Sequence, residues 1–303
     1  MNALVLATML AGAGVRAGDG EFRTSDGVKI HYRAIGEGRE AVVIPVGLLT
    51  SPHFDALAKG RRVVYYDPRG RGRSERGPLE SVSLERASRD LEELRLHIGA
   101  ERIAIVGFSG YGMETVLYAL AHPERVTRLV QLAPVPPRFK PWGEQGMEAR
   151  GPRIDAEAQK EYEALVARGA SGEEQCRAQQ RAVLPAVVAH PERVKDDFAY
   201  CALTNEWPEN TDQFYGQLLK GFDTLDLRPR LAELRFPRLV LHAEQDTFPL
   251  AGSEEWVRGQ KEARLLVIKD AGHSAFRDQP EAVLRAIEVF LAGGWPDGAK
   301  PLS

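Results

Sequence analysis

Three residues far apart in the chain are of the types that can work together on a carbonyl: a serine in a glycine turn, an acid after an apolar run, and a histidine in a late loop. Ser109 lies in "AIVGFSGYGMETVLYALAHPERV" (residues 104–126), an apolar run, then glycines around the serine, then a helical stretch. A serine at the end of a parallel strand and ahead of a helix projects its hydroxyl from the carboxyl edge of the sheet, where ligands bind. The helix N-terminus below it offers free N–H groups to a developing negative charge. The hydroxyl is a weak nucleophile and needs a base within hydrogen-bond reach, itself oriented by a third group. Of the seven histidines, His273 in "AGHSAF" is the best-placed base, because it follows a strand and precedes the last helix. Asp246, shortly after "RLVLHA", is the best-placed acid, with Glu244 and Asp270 as rivals. Gly107, Tyr111 and Gly112 form the elbow around Ser109. The sharp turn calls for small residues, and Tyr111 stands where the usual pattern has its second glycine. Its ring must turn into a pocket or tilt the helix.

The elements that position these residues follow from periodicity. "AVVIPV" (41–46), "RVVYY" (62–66) and "RIAIVG" (102–107) are continuous β-branched and aromatic runs, as in strands buried on both faces. "GVKIHYRAIG" (27–36) alternates and reads as an edge strand. Between them, Leu84, Ala87, Leu91, Leu94 and Ile98 form one helical stripe, with Ser83 as N-cap and Gly99 as stop. "RVTRLVQLA" is the next strand. From Pro134 to about Asp226 the strand signal disappears, and a segment this long must be a helical insert rather than a loop. Strands resume at "RLVLHAEQD" and "ARLLVIKDAGHS", and "QPEAVLRAIEVFLAG" closes as a helix. Alternating strands and helices give an α/β fold with a mostly parallel central sheet and helices on both faces. The insert then forms a helical lid between the two halves of the core.

Composition limits the alternatives. The chain has 303 residues, 43% of them hydrophobic and 27% charged, with a formal net charge of -3. That balance carries no electrostatic footprint for nucleic acid, so the run Arg69, Arg71, Arg73 reads as a structural turn. No segment has the roughly 20 apolar residues of a membrane span. Two cysteines, Cys176 and Cys201, are too few for a zinc ribbon and are either one disulfide or two reduced core residues. Ala3 to Val15 is an apolar run of signal-peptide length, and Val15-Arg16-Ala17 resembles a small-residue cleavage site, although no Lys or Arg precedes the run. Residues 1–17 are therefore a candidate signal peptide, which leans the localisation towards export and otherwise leaves it cytoplasmic.

Several blocks in order resemble the α/β-hydrolase family, and within it the lidded proline-iminopeptidase-like and esterase-like members. "YYDPRGRGRS" (65–74), "VGFSGYG…AHPERVTRLVQLAP", "LVLHAEQDTFP" and "DAGHSAFRDQPEAVLRAIEVFL" carry the resemblance, which spans residues 22–293 apart from the insert. It implies core segments 18–133 and 227–303 around a lid of 134–226. It implies two backbone donors for an oxyanion, Gly110 and Leu48, the latter in a loop where Val46-Gly47 replaces the relatives' His-Gly. In the iminopeptidase-like relatives, lid carboxylates grip a free amino terminus. Glu206 and Glu209, with Trp207 in the same stretch, are the candidates for substrate binding here. The expected activity is hydrolysis of a carboxylic ester or amide of a small molecule or short peptide through Ser109, His273 and Asp246. No metal or organic cofactor is called for. A proline-iminopeptidase-like aminopeptidase and a hydrolase-fold binding protein without turnover are the alternatives.

Overall fold

The computed structural model describes residues 17–195 and 198–303. The signal-peptide reading of residues 1–17 lies, but for Ala17, outside the described residues. Eight strands form one sheet: β1 (Gly18–Arg23), β2 (Lys29–Ile35), β3 (Ala41–Pro45), β4 (Arg62–Tyr66), β5 (Ile103–Phe108), β6 (Val126–Leu132), β7 (Arg238–Ala243) and β8 (Ala263–Ile268). Their spatial order is β1-β2-β4-β3-β5-β6-β7-β8. The β1/β2 and β2/β4 pairs are antiparallel, and every other pair is parallel.

The segment 27–36 is thus not the sheet edge. The edge is β1, whose sequence "GDGEFR" buries only Phe22 and gives no strand pattern to read. The central strands follow the two-faced expectation. Val43, Val64, Ile103 and Ile105 join one core with Leu91, Leu94 and Met113, while Val42, Val63, Ala104 and Val106 join a second with Ile287 and Phe290. Successive side chains point to opposite faces, so an unbroken apolar run is what a doubly covered sheet requires.

The helices are α1 (Gly47–Thr50), α2 (Leu84–His97), α3 (Gly110–Ala121), α4 (Trp142–Arg150), α5 (Ala156–Ala167), α6 (Gly172–Val187), α7 (Pro208–Phe222), α8 (Leu250–Glu254), α9 (Ala275–Asp278) and α10 (Pro280–Leu291). At the start of α2, Ser83 accepts a hydrogen bond from Arg86 N at 3.1 Å, the capping geometry its position implied. Helices α4 to α7 lie between β6 and β7 in the chain. Within them, Cys176 on α6 is disulfide-bonded to Cys201 across 25 residues, which decides the alternative the sequence left open. Among the described residues no helix is long and apolar enough to cross a membrane.

The chain runs from β3 to β4 on one side and returns to place β5 on the other side of β3. The carboxyl ends of β3 and β5 therefore flank a switch point, the crevice where open α/β sheets bind ligands. Ser109 is the residue directly after β5.

Candidate active site

Ser109 has φ 54 and ψ −123, a conformation that costs energy for any residue with a Cβ. The neighbouring glycines make the turn feasible. A Cβ on Gly107 would stand 2.7 Å from Thr115 Oγ1 and 2.8 Å from the Tyr111 carbonyl. A Cβ on Gly112 would meet Pro134 at 3.0 Å. The close approach of strand and helix thus falls at Gly107 and Gly112, not at position 111. Tyr111 turns its buried ring aside, and its hydroxyl accepts a hydrogen bond from Arg71 Nη1 at 3.1 Å. The elbow keeps its geometry, and the tyrosine joins the lining of the cavity above it.

Asp246 follows β7 and His273 follows β8, on neighbouring parallel strands. Gln245 N donates to the Ala271 carbonyl at 2.9 Å and ties the two loops together. His273 Nδ1 lies 3.0 Å from both carboxylate oxygens of Asp246, and Nε2 lies 2.9 Å from Ser109 Oγ. With the Nδ1 proton donated to Asp246, Nε2 is left as an acceptor facing the serine hydroxyl. The imidazole is held between the rings of Phe108 and Phe248, at 5.2 and 5.4 Å. Burial pushes the Asp246 carboxyl up, but His273 beside it and the Phe248 N–H outweigh this and keep it below its usual value. Such an array can accept a proton from Ser109, hold the resulting imidazolium against a carboxylate, and return the proton. The rival acids are occupied elsewhere: Glu244 pairs with Lys269, and Asp270 with His190 at 2.8 Å.

Gly110 opens α3, so its N–H belongs to the first turn, where no intrahelical acceptor exists. Leu48 is different from the expectation. Its N–H donates to Asp67 Oδ1 at 3.1 Å, and the residue lines a separate polar cavity rather than the one at Ser109. Asp67 is buried and also accepts from Arg73 N, so it ties the Leu48 loop to the turn after β4. Val46 sits there at φ 61, and Thr50 Oγ1 bonds its carbonyl.

The lid candidates are not brought to the serine. Glu206 is buried, with its carboxylate clamped by Arg71 Nε and Nη2 at 2.8 and 2.7 Å and by Gly72 N. Glu209 is exposed at the start of α7. Trp207 packs against Gly172 on α6. None of the three lines the cavity over Ser109. Neither Glu206 nor Glu209, the two carboxylates that suggested an ammonium grip, is therefore free for that role at the serine.

That cavity has a volume of about 400 Å³. Its floor is Ser109, Gly110 and His273, and its walls are mostly apolar, including Phe139, Leu184, Phe198 and Phe222. Two residues that the sequence did not single out contribute. Phe248, two residues after Asp246, packs on His273, and Arg150 at the end of α4 reaches the lining. Arg150 lies among other charged residues of the insert, and its stretch has no periodicity that would mark it as inward-facing.

Residues 40–167 match the family model described as alpha/beta hydrolase fold, a stretch that includes Ser109 but neither Asp246 nor His273. The chain is 26% identical to a 2-hydroxy-6-oxononadienedioate/2-hydroxy-6-oxononatrienedioate hydrolase of Paraburkholderia xenovorans (strain LB400), covering 92% of this chain and 93% of that one. It is 24% identical to the serine hydrolase BPHL of Mus musculus, over 88% and 84%. Among solved structures it is similar to an esterase from Exiguobacterium antarcticum, with a TM-score of 0.69, 19% identity, and coverage of 92% of this chain and 100% of that one.

Proposed function

We propose that the chain, which has the alpha/beta hydrolase fold, is a serine hydrolase acting on a carboxylic ester, or an activated amide, of a small molecule. The observation that carries this reading is the continuous hydrogen-bonded chain Asp246–His273–Ser109, which opens on an apolar cavity. Ser109 Oγ attacks the carbonyl as His273 Nε2 takes its proton. The tetrahedral oxyanion is received by the Gly110 N–H at the N-terminus of α3. With Leu48 N–H committed to Asp67, Gly110 is the one backbone donor the reading assigns. His273 then protonates the leaving group, and the acyl-enzyme is hydrolysed by a water that His273 deprotonates. Asp246 holds the ring in the tautomer that leaves Nε2 free and stabilises the imidazolium.

The aminopeptidase alternative is less well supported. It needs an anionic group at the site for a substrate ammonium, and among the described residues no aspartate or glutamate lines the cavity. The non-catalytic alternative has to explain why three distant residues keep hydrogen-bond geometry. The test compares p-nitrophenyl butyrate with proline p-nitroanilide, using wild type and Ser109→Ala. The ester is expected to turn over and the anilide to be far slower, with Ser109→Ala lowering kcat by at least roughly a thousandfold. Faster turnover of the anilide would move the function to an aminopeptidase. Turnover that survives in Ser109→Ala would remove the serine from the mechanism.

A further inference from the structure

Among the described residues, two arginines, Arg150 and Arg277, line the cavity, and no carboxylate does. Arg277 lies over the Phe198 ring, its Cζ 6.0 Å from the centroid. Arg150 has only neutral company. Its Nε donates to Thr247 Oγ1 at 3.2 Å, its guanidinium stands over the Phe248 ring at 5.0 Å, and its Nη1 is 3.8 Å from Met147 Sδ. Among the described residues no carboxylate lies within salt-bridge distance of it. Asp246, the carboxylate whose field reaches it, is already shared by His273 Nδ1 and Phe248 N. The other arginines around the lid junction are paired: Arg71 with Glu206, and Arg138 with Glu255. Arg238 also lacks a carboxylate, but it is sealed in the core and donates to the Trp256 carbonyl. Arg150 instead faces open volume beside a nucleophile.

Holding a half-buried guanidinium without a counter-charge is costly, and a planar fork of donors is suited to a carboxylate. We propose that the substrate carries a carboxylate, or an anionic group of like geometry, and that Arg150 receives it while Ser109 attacks a carbonyl elsewhere in the same molecule. This rests on the serine-hydrolase reading and narrows it to an anionic substrate. Phe248 lies between the catalytic imidazole and the guanidinium, its centroid 5.4 Å from the His273 ring and 5.0 Å from Arg150 Cζ. A short linker between carbonyl and carboxylate therefore bridges them, with its methylenes against the apolar wall.

Two matched pairs of esters test this. In one, p-nitrophenyl hydrogen glutarate is compared with its methyl ester, so the charge is on the acyl side. In the other, 4-carboxyphenyl butyrate is compared with 4-(methoxycarbonyl)phenyl butyrate, so the charge is on the leaving group. The readout is the charged-to-neutral ratio of kcat/KM, in which any general loss of activity cancels. In wild type the charged member of at least one pair is expected to be favoured roughly tenfold to a hundredfold, mostly through KM. Arg150→Lys should keep part of that preference, and Arg150→Gln should bring the ratio to one or below. A ratio near one in both pairs, or one that Arg150→Gln leaves in place, overturns the proposal. If no ester is hydrolysed, the hydrolase reading fails, and the anion site is read separately. Glutarate, but not glutaramide, should raise the melting temperature of Ser109→Ala and not of Ser109→Ala/Arg150→Gln. Equal response of the two proteins to glutarate, or none in either, refutes the site.

Discussion

Glu114 lies on α3 beyond the serine and has no part in the proposed chemistry. It is buried, its Oε1 has no hydrogen-bond partner, and Tyr66, Arg69, Asp90 and Phe214 line the same small space. Burial raises its carboxyl from 4.5 to about 8, with Arg71 opposing and Asp90 adding to the rise. A folded-state pKa above the unfolded one means that the folded protein holds the proton more tightly. The associated stability is fully present below pH 4.5 and is lost as pH rises towards 8, at up to about 1.4 kcal/mol per pH unit. Glu114→Gln removes the titration. Melting temperatures measured from pH 4.5 to 8.5 should show the variant gaining on wild type as pH rises, and parallel curves would contradict the assignment. Such a residue is invisible in sequence, since "GMETV" reads as an ordinary helical stretch. Ser109 and His273 were legible because each follows a strand and precedes a helix, a pattern that places it at the sheet edge, whereas Asp246 was separated from Glu244 and Asp270 only by the contacts of the fold. Leu48 was not legible, because its N–H is decided by Asp67, a partner from another strand.

At the scale of elements, helices with one apolar stripe and strands with continuous apolar runs could be read directly. The edge strand β1 could not, since an exposed strand has no face to bury. The insert was legible as helical and no further, because its aromatics serve either its own packing or the cavity. Leu184 on α6 and Phe198 and Tyr200 on the segment that follows line the cavity, and the Cys176–Cys201 disulfide joins those two elements. Closing a loop of this length contributes roughly 3 kcal/mol through the unfolded state. Replacing both cysteines with serine should lower the melting temperature and also raise KM more than it lowers kcat, because the cavity wall loosens while the hydrogen-bonded chain at Ser109 is untouched. A lower melting temperature with unchanged KM would confine the disulfide to stability.

At the scale of the whole molecule, the insert is fastened to the core by charge as well as by apolar contact. Arg71 comes from the turn after β4 and Glu206 from the segment before α7, and each side chain is only 3% exposed. Arg71 also donates to the hydroxyls of Tyr111 and Tyr215, so one guanidinium joins the elbow, the core turn and two parts of the insert. This pairing explains why Glu206 is unavailable to a substrate. The cost of such a pair lies in desolvation, and breaking it leaves one charge buried alone. Glu206→Leu is therefore expected to destabilise the protein by about 3 to 5 kcal/mol in chemical denaturation. Arg71→Met/Glu206→Leu, which removes both charges and keeps apolar volume, should be more stable than that single variant. Tyr111 adds a second readout: with Arg71 released from Glu206, the guanidinium is free to shift against the phenol, and KM should rise in Glu206→Leu. If the two substitutions instead add as independent losses, Arg71 and Glu206 do not act as a unit. The insert would then be held by its apolar contacts, such as Phe214, Leu218 and Phe222, which already belong to the core.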